Sequence, residues 1–393
     1  MGLGIVKLGQ GQWAVKDGNL LAAKDTNGRL KNAEFTVSRG TDATYVNRNG
    51  LIVNETGDNT PRIDFTDNTD GHLLLEPQST NYTEYGNDAS QWSNLVSNGT
   101  VTKTVNYAVS PDGTQNATRL EASVSGSGYA LISLAITTAF TGNYTSTVYV
   151  KSNTGSSQDI SFYGRNTDVA THTVTDEWTR IQFKGSSTSG QSNYAYIGIS
   201  TPISAEDNPI DILVWGGQLE ALPYATSYIP TNGSTVTRDA DTCTGSGEAV
   251  DFNSEEGVLY AEISALADDG TSRTISLSDG STPNRIFIQF RSASGQINSG
   301  IVVSNSAQAV IAHTITQTQY IKIAFKYKAN DFALWVNGVE VGTDTSGTTF
   351  TANTLTKLNF DSGSGAEDFY GKCKAIRVYK EALSDTDLQN LTS

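Results

Sequence analysis

Apolar and polar residues alternate with a period of two through most of this chain, in short runs separated by polar, glycine-bearing turns. Tyr144-Thr145-Ser146-Thr147-Val148-Tyr149-Val150, Ile160-Ser161-Phe162-Tyr163, Trp178-Thr179-Arg180-Ile181-Gln182-Phe183 and Ile210-Asp211-Ile212-Leu213-Val214-Trp215 each predict a strand with one face on a core. Gly257-Val258-Leu259-Tyr260-Ala261-Glu262-Ile263 and Asn284-Arg285-Ile286-Phe287-Ile288-Gln289-Phe290 predict two more. Tyr320-Ile321-Lys322-Ile323-Ala324-Phe325-Lys326-Tyr327 is expected to pair with Phe332-Ala333-Leu334-Trp335-Val336 across Lys328-Ala329-Asn330-Asp331. Asn337-Gly338 then accepts the two positive φ angles of a type I′ turn, and Glu340-Val341 starts the return strand. The last strand is expected from Ala375 to Tyr379. After it Ser384 predicts an N-cap, with Leu388 and Leu391 on the apolar side of a short helical turn. Sustained helical period is otherwise nearly absent, so the predicted class is all-β: an N-terminal region followed by two β-sandwich (jelly-roll) domains.

The motifs divide the chain into residues 1–81, 82–231, a connector at 232–242, and 243–393. In the first stretch Ser38-Arg39-Gly40-Thr41-Asp42-Ala43-Thr44-Tyr45-Val46-Asn47, Asn49-Gly50-Leu51-Ile52, Pro61-Arg62-Ile63-Asp64-Phe65 and Leu73-Leu74-Leu75-Glu76-Pro77-Gln78-Ser79-Thr80-Asn81 follow one another, after Asp25-Thr26-Asn27-Gly28-Arg29. This ordered series resembles the N-terminal region of bacteriophage structural proteins of the tail-fibre or head-fibre type. Tyr224-Ala225-Thr226-Ser227-Tyr228-Ile229-Pro230-Thr231 and Thr237-Arg238-Asp239-Ala240-Asp241 resemble a connector of the same group. Asn87-Asp88-Ala89-Ser90-Gln91-Trp92-Ser93, Ser110-Pro111-Asp112-Gly113-Thr114 and Gly217-Gln218-Leu219-Glu220 are similar to a carbohydrate-binding-module jelly roll. Val336-Asn337-Gly338-Val339-Glu340, with Cys373 to Asp385, resembles a concanavalin A-like sandwich of the laminin-G and pentraxin branch.

With 393 residues the chain is long enough for two or three cores. The net charge of −15, from 41 acidic against 26 basic residues, repels phosphate backbones and argues against a nucleic-acid partner. The acidic residues are scattered, which reads as a solubilising surface. The opening Met1-Gly2-Leu3-Gly4-Ile5-Val6 has neither the basic region nor the apolar core of a signal peptide, and Val6 stands where a myristoylation motif wants Ser or Thr. No later segment is long and apolar enough to predict membrane insertion. Cys243 and Cys373 are expected as two free thiols in a chain too poor in Cys to be a disulfide scaffold, with a bridge as the alternative.

Catalytic signatures do not emerge. A glycosidase needs two carboxylates across one cleft, and the Glu-x-Asp-x-Glu spacing of concanavalin A-like glucanases does not occur. Glu255-Glu256 would point to opposite faces. His72, His172 and His313 are scattered, with His172 and His313 expected on exposed strand faces, and no zinc spacing or Gly-x-Ser-x-Gly elbow is present. Sugar binding calls for exposed aromatic rings against C–H faces, and Trp92, Tyr129, Tyr163, Tyr194 and Tyr196 are the candidates. Trp215 and Trp335 lie in apolar strands and are expected in cores. Calcium is common in both resembled families, and Asp361, Glu367 and Asp368 are the candidate ligands.

The resemblances together imply a non-enzymatic virion component, assembled in the host cytoplasm, that binds other virion proteins through its N-terminal region and a host-surface glycan or another virion component through its distal sandwich. Family analogy suggests a homotrimer. The alternatives are a purely architectural head, collar or tail decoration and a polysaccharide depolymerase.

Overall fold

The computed structural model describes residues 6–16, 19–26, 29–55, 60–134, 136, 141–164, 170–188, 194–200 and 207–393. Residues 1–5 and the Asn27-Gly28 pair of the N-terminal series lie outside them. As the alternation predicts, the fold is all-β, with helix among the described residues confined to Asp385–Thr392 and the 3-10 turns Ala89–Gln91 and Ala249–Asp251. Two compact units divide the chain: Met1–Asp42, Glu55–Pro77 and Ala240–Ser393 form one, Ala43–Asn54 and Gln78–Asp239 the other.

In the first unit Glu256–Ala265 pairs with Ile321–Lys328 on one side and Gly371–Tyr379 on the other. Ile321–Lys328 continues to Phe332–Val336 and then Val339–Asp344. The turn between the last two has Asn337 at φ 48 and Gly338 at φ 81, the expected type I′ geometry. A second sheet runs in the order Ser306–Thr314, Gln296–Val303, Arg285–Phe290, Arg273–Ser278, Lys357–Asn359. Leu259, Ile323, Phe325 and Leu334 from the first sheet share one core with Ile275, Ile286, Ile288 and Ile297 from the second. Ser384 caps the closing helix by accepting from the Asp387 N–H, and Leu388 and Leu391 are buried.

The N-terminal strands belong to this same sheet. Val6–Gly9 pairs antiparallel with Gly371–Tyr379, from Val6 opposite Val378 to Gly9 opposite Ala375, and His72–Leu75 extends the same edge from Leu73 opposite Cys373 to Leu75 opposite Gly371. Val6, Leu8, Leu20, Phe35, Leu73 and Leu75 enter the common core. Residues 1–81 were expected as a region of their own, and these strands pair otherwise. An uncovered edge on Gly371–Tyr379 would expose a row of unpaired amides, and the N-terminal strands cover it while burying their own apolar faces. Cys243 and Cys373 are both free and buried. Burial pushes both thiols up, Cys243 further through the nearby Cys373, so both stay protonated.

The second unit is a rolled sheet in the order Ala170–Val174, Gln158–Gly164, Ala195–Ser200, Ala117–Ser133, Ile210–Glu220, Gly142–Ser152, Thr179–Ser187. Ser93–Ala108 lies along the long Ala117–Ser133 strand as its hairpin partner. Leu120, Val148, Ile160, Phe162, Ile197 and Ile212 are fully buried in its core. Trp215 packs in a second cluster with Tyr228, Ile52 and Ala117, and Trp335 packs beneath the closing helix, as their apolar strands predict.

The ordered N-terminal series now has a physical meaning. Inside the first unit, Arg39 Nη1 donates to Asp241 Oδ1 at 3.0 Å and Arg62 Nη1 to Glu76 Oε2 at 2.7 Å, while Arg62 Nη2 donates to the other Asp241 oxygen. None of these four side chains is more than 2% exposed. Burial works against the Arg62 charge, but Asp241 and Glu76 more than offset it and hold the guanidinium protonated. In the second unit Glu220 accepts from the Ser79 hydroxyl at 2.7 Å and the Thr226 N–H at 3.0 Å. Asn81 donates to the Gly217 and Ile229 carbonyls and accepts from the Leu219 and Thr83 N–H groups. Residues far apart in sequence thus form buried polar staples, each satisfied only when the others are in place.

Candidate functional site

In Ala195–Ser200 the pleat sends Ala195, Ile197 and Ile199 into the core and turns Tyr196, Gly198 and Ser200 to the other face. Tyr163 stands opposite Tyr196 on the neighbouring strand, and Tyr129 stands opposite Ser200 on the strand beyond. The rings of Tyr194 and Tyr196 are stacked, 5.7 Å between centroids and 7° between planes. Tyr163 is tilted against Tyr196 at 5.4 Å, and its hydroxyl donates to Ser200 Oγ at 3.4 Å. Tyr129 is 39% exposed and the other three are half-buried. Three of the five aromatic candidates therefore meet on one sheet face, and Tyr129 lies on the same face further along the strands.

Trp92 does not join them. The turn Ala89–Gln91 carries its ring inward, where it is 1% exposed beside Ala89 and Leu134, and its Nε1 donates to the Tyr85 carbonyl at 2.8 Å. A ring enclosed in the core presents no face to a ligand.

A polar cleft of about 460 Å³ in the same unit is lined by Thr100, Thr102, Glu121, Ser123 and Asp211. Thr102, Glu121 and Asp211 form one cross-strand row, since Thr102 is opposite Glu121 and Glu121 is opposite Asp211. Arg119 closes it: Nε and Nη2 each donate to Asp211 at 2.8 Å, and Nη2 lies 3.0 Å from Glu121 Oε1. The sequence hides this pair because its members come from strands far apart in the chain. Two carboxylates in one cleft would suit glycoside hydrolysis if one of them carried a raised pKa. The hydrogen bond from Arg119 instead outweighs burial, Asn153 adds two more, and Asp211 is held below the usual carboxylate range. Such a row offers fixed acceptors and hydroxyls, the chemistry of binding.

The three calcium candidates are engaged separately. Asp361 accepts from the Gly363 N–H, Glu367 accepts from Thr274 Oγ1 at 2.9 Å and Gln289 Nε2 at 2.8 Å, and Asp368 accepts from the Tyr370 hydroxyl at 3.2 Å. Among the described residues no three His, Cys, Asp or Glu side chains gather as a metal cluster, so the set does not fit one shared ion. The imidazoles also differ from the exposed positions expected of them: His172 and His313 are half-buried, and His172 lies against Phe162. A second cleft, about 320 Å³, in the first unit is lined by His313, Gln319, Tyr320 and Asn337 among threonine and aliphatic side chains.

Residues 249–389, within the first unit, match the family described as the concanavalin A-like lectin/glucanases superfamily. Among solved structures, the CBM40 of Ruminococcus gnavus IT-sialidase is 16% identical over 38% of this chain and 94% of its own, with a TM-score of 0.32. Domain 4 of AbnA, a GH43 extracellular arabinanase from Geobacillus stearothermophilus in complex with arabinotriose, is 14% identical over 39% of this chain and 73% of its own, at 0.32. The SAP-like pentraxin of Limulus polyphemus is 15% identical over 38% and 72%, at 0.29. No curated protein matches the chain.

Proposed function

We propose that this protein is a non-enzymatic saccharide-binding component of a bacteriophage particle, with the tyrosine face of the second unit as its glycan contact. The observation that carries the binding reading is the arrangement of Tyr194, Tyr196 and Tyr163 on one sheet face, with a stacked pair and a third ring tilted beside it. Rings held by a sheet lose little freedom on binding, and aromatic faces complement the C–H faces of sugar rings. The concanavalin A-like sandwich agrees with a recognition role, and the ordered N-terminal series supports the virion setting. There several copies, three by family analogy, would add weak contacts through effective concentration. Depolymerase activity is not favoured, because both cleft carboxylates are engaged by the one Arg119 guanidinium.

The test is a glycan array probed with the full chain, with calcium and with chelator, followed by product analysis of every hit. Saturable binding without cleavage is expected. Tyr196→Ala should weaken it at least tenfold, in line with loss of an aromatic hot spot worth about 1–2 kcal/mol, while leaving the melting temperature near that of the parent. Release of reducing or unsaturated ends from a bound glycan would replace the binding reading with an enzymatic one.

A further inference from the structure

The tyrosine face and the polar cleft lie on the same side of one two-stranded ribbon. Along Ala117–Ser133, Leu120, Ala122, Val124, Ala130 and Ile132 go to the core, while Glu121 and Ser123 at one end and Tyr129 at the other turn away from it. The hairpin partner measures how close these ends are. Thr100 is opposite Ser123 and Ser97 is opposite Tyr129, so three residues of that strand, ~10 Å at ~3.3 Å per residue, separate the cleft row from the row of Tyr129, and Tyr196 follows further along, opposite Ser133. The register shift between Ser97 and Gly99 keeps both rows on the outer face, with the exposed Ser125-Gly126-Ser127 standing between them.

We infer that cleft and tyrosine face are the two ends of one extended site, which takes the interior of a linear, neutral polysaccharide chain rather than a single terminal sugar. This inference rests on the saccharide reading above and specifies its ligand. A spacing of ~10 Å exceeds one sugar ring and is short enough for a chain of several rings to touch both rows. The cleft supplies what hydroxyl groups need: Thr100, Thr102 and Ser123 as donors and acceptors, and Glu121, 41% exposed, as an acceptor. The guanidinium of Arg119 is already committed to Asp211 through two 2.8 Å hydrogen bonds, so it is not presented to a ligand carboxylate. The one guanidinium is shared by two carboxylates, Asp211 and Glu121, so this wall keeps a net negative charge that repels uronate and sialate chains.

The experiment is calorimetric titration of the full chain with cello-, xylo- and manno-oligosaccharides from disaccharide to hexasaccharide, and with an oligogalacturonide of matching length. For the series that binds, affinity is expected to rise at least tenfold from disaccharide to hexasaccharide, with the oligogalacturonide at least tenfold weaker. Ser123→Trp, which fills the cleft, should erase the gain with length. Glu121→Gln, which removes one of the two carboxylates that share Arg119, should admit the oligogalacturonide. Affinity independent of length, or a length gain that survives Ser123→Trp in a folded variant, overturns the extended site while leaving the tyrosine face standing. Equal binding of charged and neutral chains overturns the neutral specificity. Failure of every series to bind overturns the saccharide reading itself, and this inference with it.

Discussion

His72 shows how far burial alone can set a side chain's chemistry. Its ring is fully buried against Tyr320, with Asp64 Oδ1 at 3.6 Å as the nearest opposite charge. Burial, opposed by Asp64 and aided by Lys372 and Lys374, pushes the imidazole down to about 4. The folded state therefore binds its proton later than the unfolded chain, whose imidazole titrates near ~6.5. Stability from this group is complete above that value and is lost as the pH falls from ~6.5 towards ~4, by up to about 3 kcal/mol. Urea titrations across that window should show the slope, and His72→Gln should flatten it. Arg62 is the other telling residue. Arg62→Met would break the buried ion pair with Glu76 and leave Asp241 to Arg39 alone, at a cost of about 3–5 kcal/mol read from the urea midpoint. A loss below 1 kcal/mol would mean that the staple is ornamental.

At the scale of elements, the hairpin turn Asn337-Gly338 and the capped closing helix were legible, because each is dictated by neighbours in sequence. A Cβ on Gly338 at φ 81 would meet Ser393 Oγ at 3.0 Å, so Gly338→Val should destabilise by about 1–2 kcal/mol from the left-handed backbone alone. Asn337→Gly should be tolerated, which separates a backbone requirement from general sensitivity of the turn. The strands were equally readable from alternation, and Tyr196 and Tyr163 sit on the outward face that their registers imply. Trp92 was misread because its neighbours form a short turn, where period gives no face, and the depth of its ring is set by Leu134 and Gly217 from other parts of the unit.

For the whole molecule, the N-terminal strands and the concanavalin A-like sandwich form one folding unit. A fragment of residues 243–393 lacks Val6–Gly9 and His72–Leu75, and so exposes the edge of Gly371–Tyr379 together with the core surface that Leu8, Phe35 and Leu73 cover. That fragment should aggregate or melt far below the full chain, whereas the full chain should unfold cooperatively in calorimetry. A fragment as stable as its parent would show that the N-terminal strands add nothing to the sandwich. The same reasoning places Arg39, Arg62 and Glu76 of the ordered N-terminal series in the interior of the first unit and Ser79 and Asn81 in the interior of the second.

Alternation, turn chemistry and a helix cap are local signals, and by themselves they determined the all-β class, most strand positions and the aromatic candidates of the second unit. Tertiary structure alone decided the rest: which strand closes which edge, that Arg39, Arg62, Glu76 and Asp241 are one buried cluster, and that Glu121 and Asp211 face one cleft. Each of these joins residues distant in the chain, and pairing between distant strands is chosen by the burial and hydrogen bonding of the assembled fold. No window of sequence contains that information.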